Sequence, residues 1–188
     1  MRRALPLGIA ALIFFAAGAH GQEVCKTEQL KDFKLSLSDI FSNAEAKAKA
    51  WKPDAVLARL TTTSMGPLDE QGRSEAWNVT FFSPSAGENV SISTFRGMLT
   101  CFASKGEAGR LPDLKPGFFK DGAKLYAIAR EHGADLIKSG HNVEIQTAAA
   151  PTDRHATWYI NFSKPDGKSG GLMIVVDANT GKVEKAIK

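Results

Sequence analysis

Two segments of this chain share one pattern, Trp77-Asn-Val-Thr-Phe81 and Trp158-Tyr-Ile-Asn-Phe162. In each, large apolar residues occupy every second position, the mark of a β-strand with one buried face. Each segment is followed by a proline turn, Pro84-Ser-Ala-Gly87 and Pro165-Asp-Gly167, and the offset between copies is 81 residues for both features. A further strand follows each turn, Val90–Thr94 in the first copy and Leu172–Val176 in the second. The second of these is apolar at consecutive positions, so both of its faces are expected to be covered.

A helical pattern precedes each tryptophan strand. In the first copy Ser38-Asp39 reads as a cap, followed by Ile40, Phe41, Ala44, Ala48 and Trp51 at helical spacing, with Pro53 as the stop. In the second, Phe118, Phe119, Ala123, Leu125, Ile128 and Ala129 form the apolar stripe and Gly133 ends it. A strand is expected between helix and tryptophan strand in each copy, at about 55–64 and about 136–147. Phe33–Leu37 also alternates and reads as a short additional strand. The stretch 104–117, rich in glycine, proline and charge, reads as a linker.

The start of the chain has the layout of a secretory leader. Arg2 and Arg3 precede an apolar run from Ala4 to Ala17, and small residues follow, with Gly21, or alternatively Ala19, as the expected last residue before cleavage. The run is shorter than the roughly 20 residues of a membrane span. Removing residues 1–21 leaves 22 basic against 20 acidic residues, far from the basic surface of a nucleic-acid binder. Export also places Cys25 and Cys101 in an oxidising compartment, where one disulfide is expected between them. No Cys-x-x-Cys motif suggests redox catalysis.

Candidate chemistry is sparse. His132, His141 and His155 occur without metal-ligand spacing, and no nucleophile elbow, Ser-x-x-Lys, Walker or Rossmann glycine motif is present. Asp69-Glu70 reads as a polar turn rather than acid–base machinery. The sequons at Asn78, Asn89 and Asn161 fall inside expected strands. No catalytic residue, metal or cofactor is assigned. The outward face of the tryptophan strands carries Asn78, Thr80 and Phe82, or Tyr159, Asn161 and Ser163. From this face Phe82, Tyr159 and Asn161 are the candidate binding residues, because aromatic side chains supply anchor area in protein recognition.

The run Gly171-Leu-Met-Ile-Val-Val-Asp177-Ala-Asn-Thr-Gly181-Lys-Val183 resembles the end of PepSY-type domains. There a strand, an Asp-x-x-Thr-Gly hairpin turn and a valine-containing last strand close an α+β unit. In the first copy Thr94-Phe-Arg-Gly97 stands where that turn belongs and matches it only loosely. Asp177 and Asn179 suit the turn by bonding to nearby amides, and Gly181 by adopting a left-handed conformation. A calcium loop is a poor fit, since its twelfth position would be Lys188 instead of glutamate.

The resemblance implies secreted or membrane-linked modules that bind or inhibit proteases. The tandem arrangement is similar in architecture to β-lactamase-inhibitor proteins. The expected fold is therefore α+β, with two tandem repeats, each a helix on a three- or four-stranded antiparallel sheet. Residues 1–21 form the leader, 22–103 the first PepSY-like repeat with an N-terminal extension, 104–117 the linker and 118–188 the second repeat. The expected function is a periplasmic or extracellular, non-enzymatic binding module for a protein such as an envelope protease. A periplasmic small-ligand-binding protein is the alternative, with an enzyme lacking a recognisable motif behind it. Nucleic acid and a membrane span in the mature chain are not expected.

Overall fold

A computed structural model describes residues 21–106, 120–148, 156–166 and 168–187. Its strands are β1 (Gln22–Glu23), β2 (Glu28–Gln29), β3 (Leu35–Ser36), β4 (Val56–Thr62), β5 (Arg73–Ser74), β6 (Ala76–Ser83), β7 (Glu88–Phe95) and β8 (Met98–Lys105). They continue with β9 (Asn142–Ala148), β10 (Thr157–Ser163), β11 (Ser169–Asp177) and β12 (Val183–Ile187). Helix α1 (Leu37–Trp51) follows β3, and α2 (Gly122–Lys138) precedes β9. Neither helix is long and apolar enough to cross a membrane.

The arrangement corrects the expectation of two helix-on-sheet repeats. Among the described residues ten strands form one antiparallel sheet, ordered β1-β8-β7-β6-β4-β9-β10-β11-β12, with β2 also paired to β8. The strands β4 and β9, which two separate units would leave as edges, pair directly through Arg59–Ala148, Leu60–Thr147 and Thr61–Gln146. An open edge is a row of unpaired N–H and C=O groups, so joining two of them satisfies both. One contiguous core contains Ile40 and Trp77 together with Leu125 and Trp158.

Register explains how a single core arises. Trp77 lies opposite Thr62, Leu60 opposite Thr147, and Thr147 opposite Trp158, so these side chains project from one face across four strands. Helix α1 covers that face over β6, and α2 covers it over β9, β10 and β11. Trp77 and Trp158 are among the largest fully buried side chains, each stabilising the fold by about 2–3 kcal/mol through apolar burial. The indole N–H of Trp77 donates to the Leu35 carbonyl at 3.0 Å, which pins β3 and its partner β5 beside the core.

Helix boundaries differ from the sequence expectation for local reasons. The cap of α1 is Ser36, two residues before the expected Ser38: its hydroxyl accepts from the Asp39 N–H at 3.1 Å and donates back to the Asp39 carboxylate. In α2 the cap is Asp121, and Gly133 interrupts the helix instead of ending it, with φ −129° and ψ 27°. A methyl group there would meet the Phe162 ring at 2.3 Å, so glycine lets the ring seat against the helix. Leu136–Lys138, expected at the start of a strand, therefore complete α2. Phe118 and Phe119 lie outside the described residues.

The long β4–β6 connection stitches the two halves together. Leu68 is buried and donates its N–H to the Val143 carbonyl at 2.8 Å. Gly72, at φ +71°, passes so close to α2 that a methyl group on it would lie 2.1 Å from the Ala123 nitrogen. Lys120 adds a cation–π contact to Phe41 of α1, 4.3 Å from the ring centre. At the far edge the expected disulfide is present: Cys25, between β1 and β2, is bonded to Cys101 of β8.

Candidate functional site

With α1 and α2 on one face, the other face of the sheet carries no helix among the described residues and is called the open face below. Strand alternation places Thr100, Ser93, Asn78, Thr61, Gln146, Tyr159, Val175 and Lys185 in one row across eight strands. At its centre, β4, β9 and β10 contribute two charged side chains, Arg59 and Glu144. Arg59 donates to the Gln146 amide oxygen at 3.1 Å, and Ser163 donates its hydroxyl to Glu144. Asn78 donates to the Ser93 hydroxyl at 3.0 Å. These cross-strand bonds hold the polar side chains flat against the sheet, so the surface is preorganised rather than floppy.

The candidate residues separate on this face. Tyr159 and Asn161 are half-buried neighbours on β10. Phe82 is on the same face but only 7% exposed, opposite Val56 and Asn89. Tyr159 is level with Asn78, four residues before Phe82 on a strand running opposite to β10. That displacement is about 13 Å along the strands and about 14 Å across three strand spacings, too far for one contact site.

Three apolar residues that the sequence reading did not single out are more accessible than Phe82. Phe95, Met98 and Phe102 are 44%, 51% and 45% exposed on the β7–β8 hairpin. Phe95 and Met98 face each other across its turn, where Arg96 and Gly97 both have positive φ, 47° and 78°. Two consecutive left-handed residues match the twist of a tight hairpin. The signal was present in the alternation Met98-x-Thr100-x-Phe102.

A concavity lies at one corner of the helix-covered face. Residues 21–26, the end of α1 at Ala50–Lys52, and Glu88 with Ala103–Lys105 line a groove of about 1350 Å³. Among the described residues, its lining comes from the first half of the chain alone.

The remaining sequence candidates have structural roles. His141 caps the end of α2, with Nδ1 3.1 Å from the Leu136 carbonyl and 3.0 Å from the Ser139 hydroxyl. His132 is exposed on α2, and His155 lies outside the described residues. Among the described residues no three His, Cys, Asp or Glu side chains are grouped to hold a metal ion. Asp69 organises its loop by accepting from the Gln71 and Arg73 N–H groups and pairs with Lys34 and Arg73. The Asp177 carboxylate accepts from Asn179 and Thr180 N–H at 2.7 and 2.9 Å, and Gly181 has φ 71°, as the turn requires. The Asn179 side-chain oxygen, expected to bond within that turn, is buried without a partner among the described residues.

The shifted titrations are local and lie on separate elements. The Ser85 N–H and Ser83 hydroxyl lower the Asp54 carboxyl to about 2. Hydrogen bonding from Lys168 lowers Asp166, and burial raises Tyr126. Searches of protein-family models, characterised proteins and solved structures return no match to this chain.

Proposed function

We propose that this chain is an exported, non-enzymatic binding module that presents the open face of its sheet to an envelope protein, with a protease as the leading class of partner. The observation that carries the reading is the face itself: a wide, hydrogen-bonded polar surface with Tyr159 and Asn161 at its centre and Phe95, Met98 and Phe102 standing out at one side. Exposed aromatic and methionine side chains supply anchors, while a preorganised polar surround excludes water at little entropic cost. The leader-like residues 1–21 and the disulfide support export, and the PepSY-like closing hairpin supports a binding role.

The test is site-specific photo-crosslinking in native envelope extract. A p-benzoylphenylalanine at Tyr159 or Phe102 is expected to trap the same partner, and one at exposed Glu45 on α1 to trap none. Adducts formed equally from Glu45, or from neither face position, would overturn the assignment. A protease partner further predicts lower proteolytic turnover when the purified protein is added.

A further inference from the structure

The expected cleavage junction of the leader falls at the start of β1. Ala19-His20-Gly21 has the small-x-small spacing of a cleavage site, which puts Gln22 first in the exported chain. Gln22 opens β1, where its side chain is exposed and its backbone lies opposite Ala103 of β8. Further along the same segment the Val24 N–H donates to the Cys101 carbonyl at 3.1 Å. The alternation of an antiparallel ladder therefore turns the Gln22 carbonyl toward the Ala103 N–H as well. The disulfide at Cys25 holds this end of the chain on β8.

The surroundings of that end are cationic. Lys26, Lys52 and Lys105 line the groove beside residues 21–26, and none forms an ion pair with a carboxylate among the described residues. The acids in the same lining are Glu23, whose carboxylate accepts from the Thr27 hydroxyl at 2.9 Å, and Glu88. An α-ammonium on Gln22 would add a further positive charge to this set. Like charges in proximity favour the uncharged amine, which is the nucleophilic form.

We propose that the exported chain carries an N-terminal pyroglutamate formed from Gln22. The neutral α-amine attacks the γ-carboxamide carbon of the same residue, and the new C–N bond closes a γ-lactam. The bond to the amide nitrogen breaks, and that nitrogen leaves as ammonia with a proton given up by the amine. No oxidant, reductant or second substrate enters. The lactam leaves the Gln22 carbonyl available to Ala103 and removes the α-charge beside the lysines. It also blocks aminopeptidases, which require a free amine. The modification rests on the export reading and is separate from the open face.

The test exports the full-length precursor from a secreting bacterial host, isolates the product cold, reduces it and reads its intact mass. The product is expected to begin at Gln22 and to be lighter by one ammonia than residues 22–188 require. Pyroglutamyl peptidase applied to the unfolded chain should then restore N-terminal sequencing from Glu23. Gln22→Asn, whose shorter side chain would have to close a strained β-lactam, should keep its full mass and a sequenceable N-terminus. A free amine on Gln22 at full mass, a first residue other than Gln22, or an ammonia loss that persists in Gln22→Asn would overturn the inference. Of these, only a chain that still carries residues 1–21 would count against export as well.

Discussion

The hydroxyl of Thr62 accepts the backbone N–H of Ile145 at 2.9 Å, closing the seam between β4 and β9 where the backbone ladder runs out. Thr147, across the same seam, is fully buried and its hydroxyl has no partner among the described residues. The two threonines therefore respond oppositely to the same change. Thr62→Val leaves the Ile145 N–H buried and unpaired and is expected to cost about 1–3 kcal/mol in urea denaturation. Thr147→Val removes an orphaned hydroxyl and should be neutral or stabilising by up to about 1 kcal/mol. The opposite ranking would show that the seam is built differently.

The close pass of the β4–β6 connection over α2 gives a second contrast. Gly72→Ala combines a left-handed backbone with a methyl group 2.1 Å from the Ala123 nitrogen. A loss of about 2–4 kcal/mol is expected. Gly87 also has positive φ, 61°, but open space around it, so Gly87→Ala should cost only about 1–2 kcal/mol of backbone strain. Equal costs would mean that the connection does not press on the helix.

The disulfide closes a separation of 76 residues. Replacing both cysteines with alanine should lower stability by up to about 4 kcal/mol on the loop-entropy account. Hydrogen exchange should accelerate first in residues 22–29 and 98–103, because β1 and β2 are two-residue strands that rely on the bond for their place on β8. Intact mass should read two hydrogens lighter before reduction than after.

Asp54 supplies a pH signature. Its carboxyl is held at about 2 by the Ser85 N–H and the Ser83 hydroxyl, below the roughly 3.9 of an unfolded aspartate. A lowered acid stabilises the folded chain above the unfolded value and loses that contribution as pH falls through the folded one. Asp54→Asn should therefore melt lower than the parent at pH 6, and the gap should close between about pH 4 and pH 2. A gap that stays constant with pH would remove the carboxylate from the explanation.

Sequence periodicity revealed faces but not neighbours. The alternation around Trp77 and Trp158 correctly marks the face that enters the core, because pleat geometry repeats every two residues whatever strand lies alongside. It carries no information on pairing, so the β4–β9 seam, which turns two expected sheets into one, left no trace in it. Gly133 looked like a helix stop because glycine commonly is one, while its contact with Phe162, 29 residues away, is visible only in three dimensions. Phe82 read as outward-facing, and it is, yet Val56 lies opposite it and it is almost fully buried. Of the candidate site, Tyr159 and Asn161 were legible as neighbours on one face, whereas the groove beside Trp51 depends on chain segments distant in sequence.

The central structural claim is that both halves share one sheet and one core. Scanning calorimetry of the oxidised protein tests it most directly. A single transition is expected, with van't Hoff and calorimetric enthalpies equal, because neither half can lose its packing without exposing the seam at Leu60 and Thr147. Two separable transitions, or a van't Hoff enthalpy well below the calorimetric one, would contradict the single sheet.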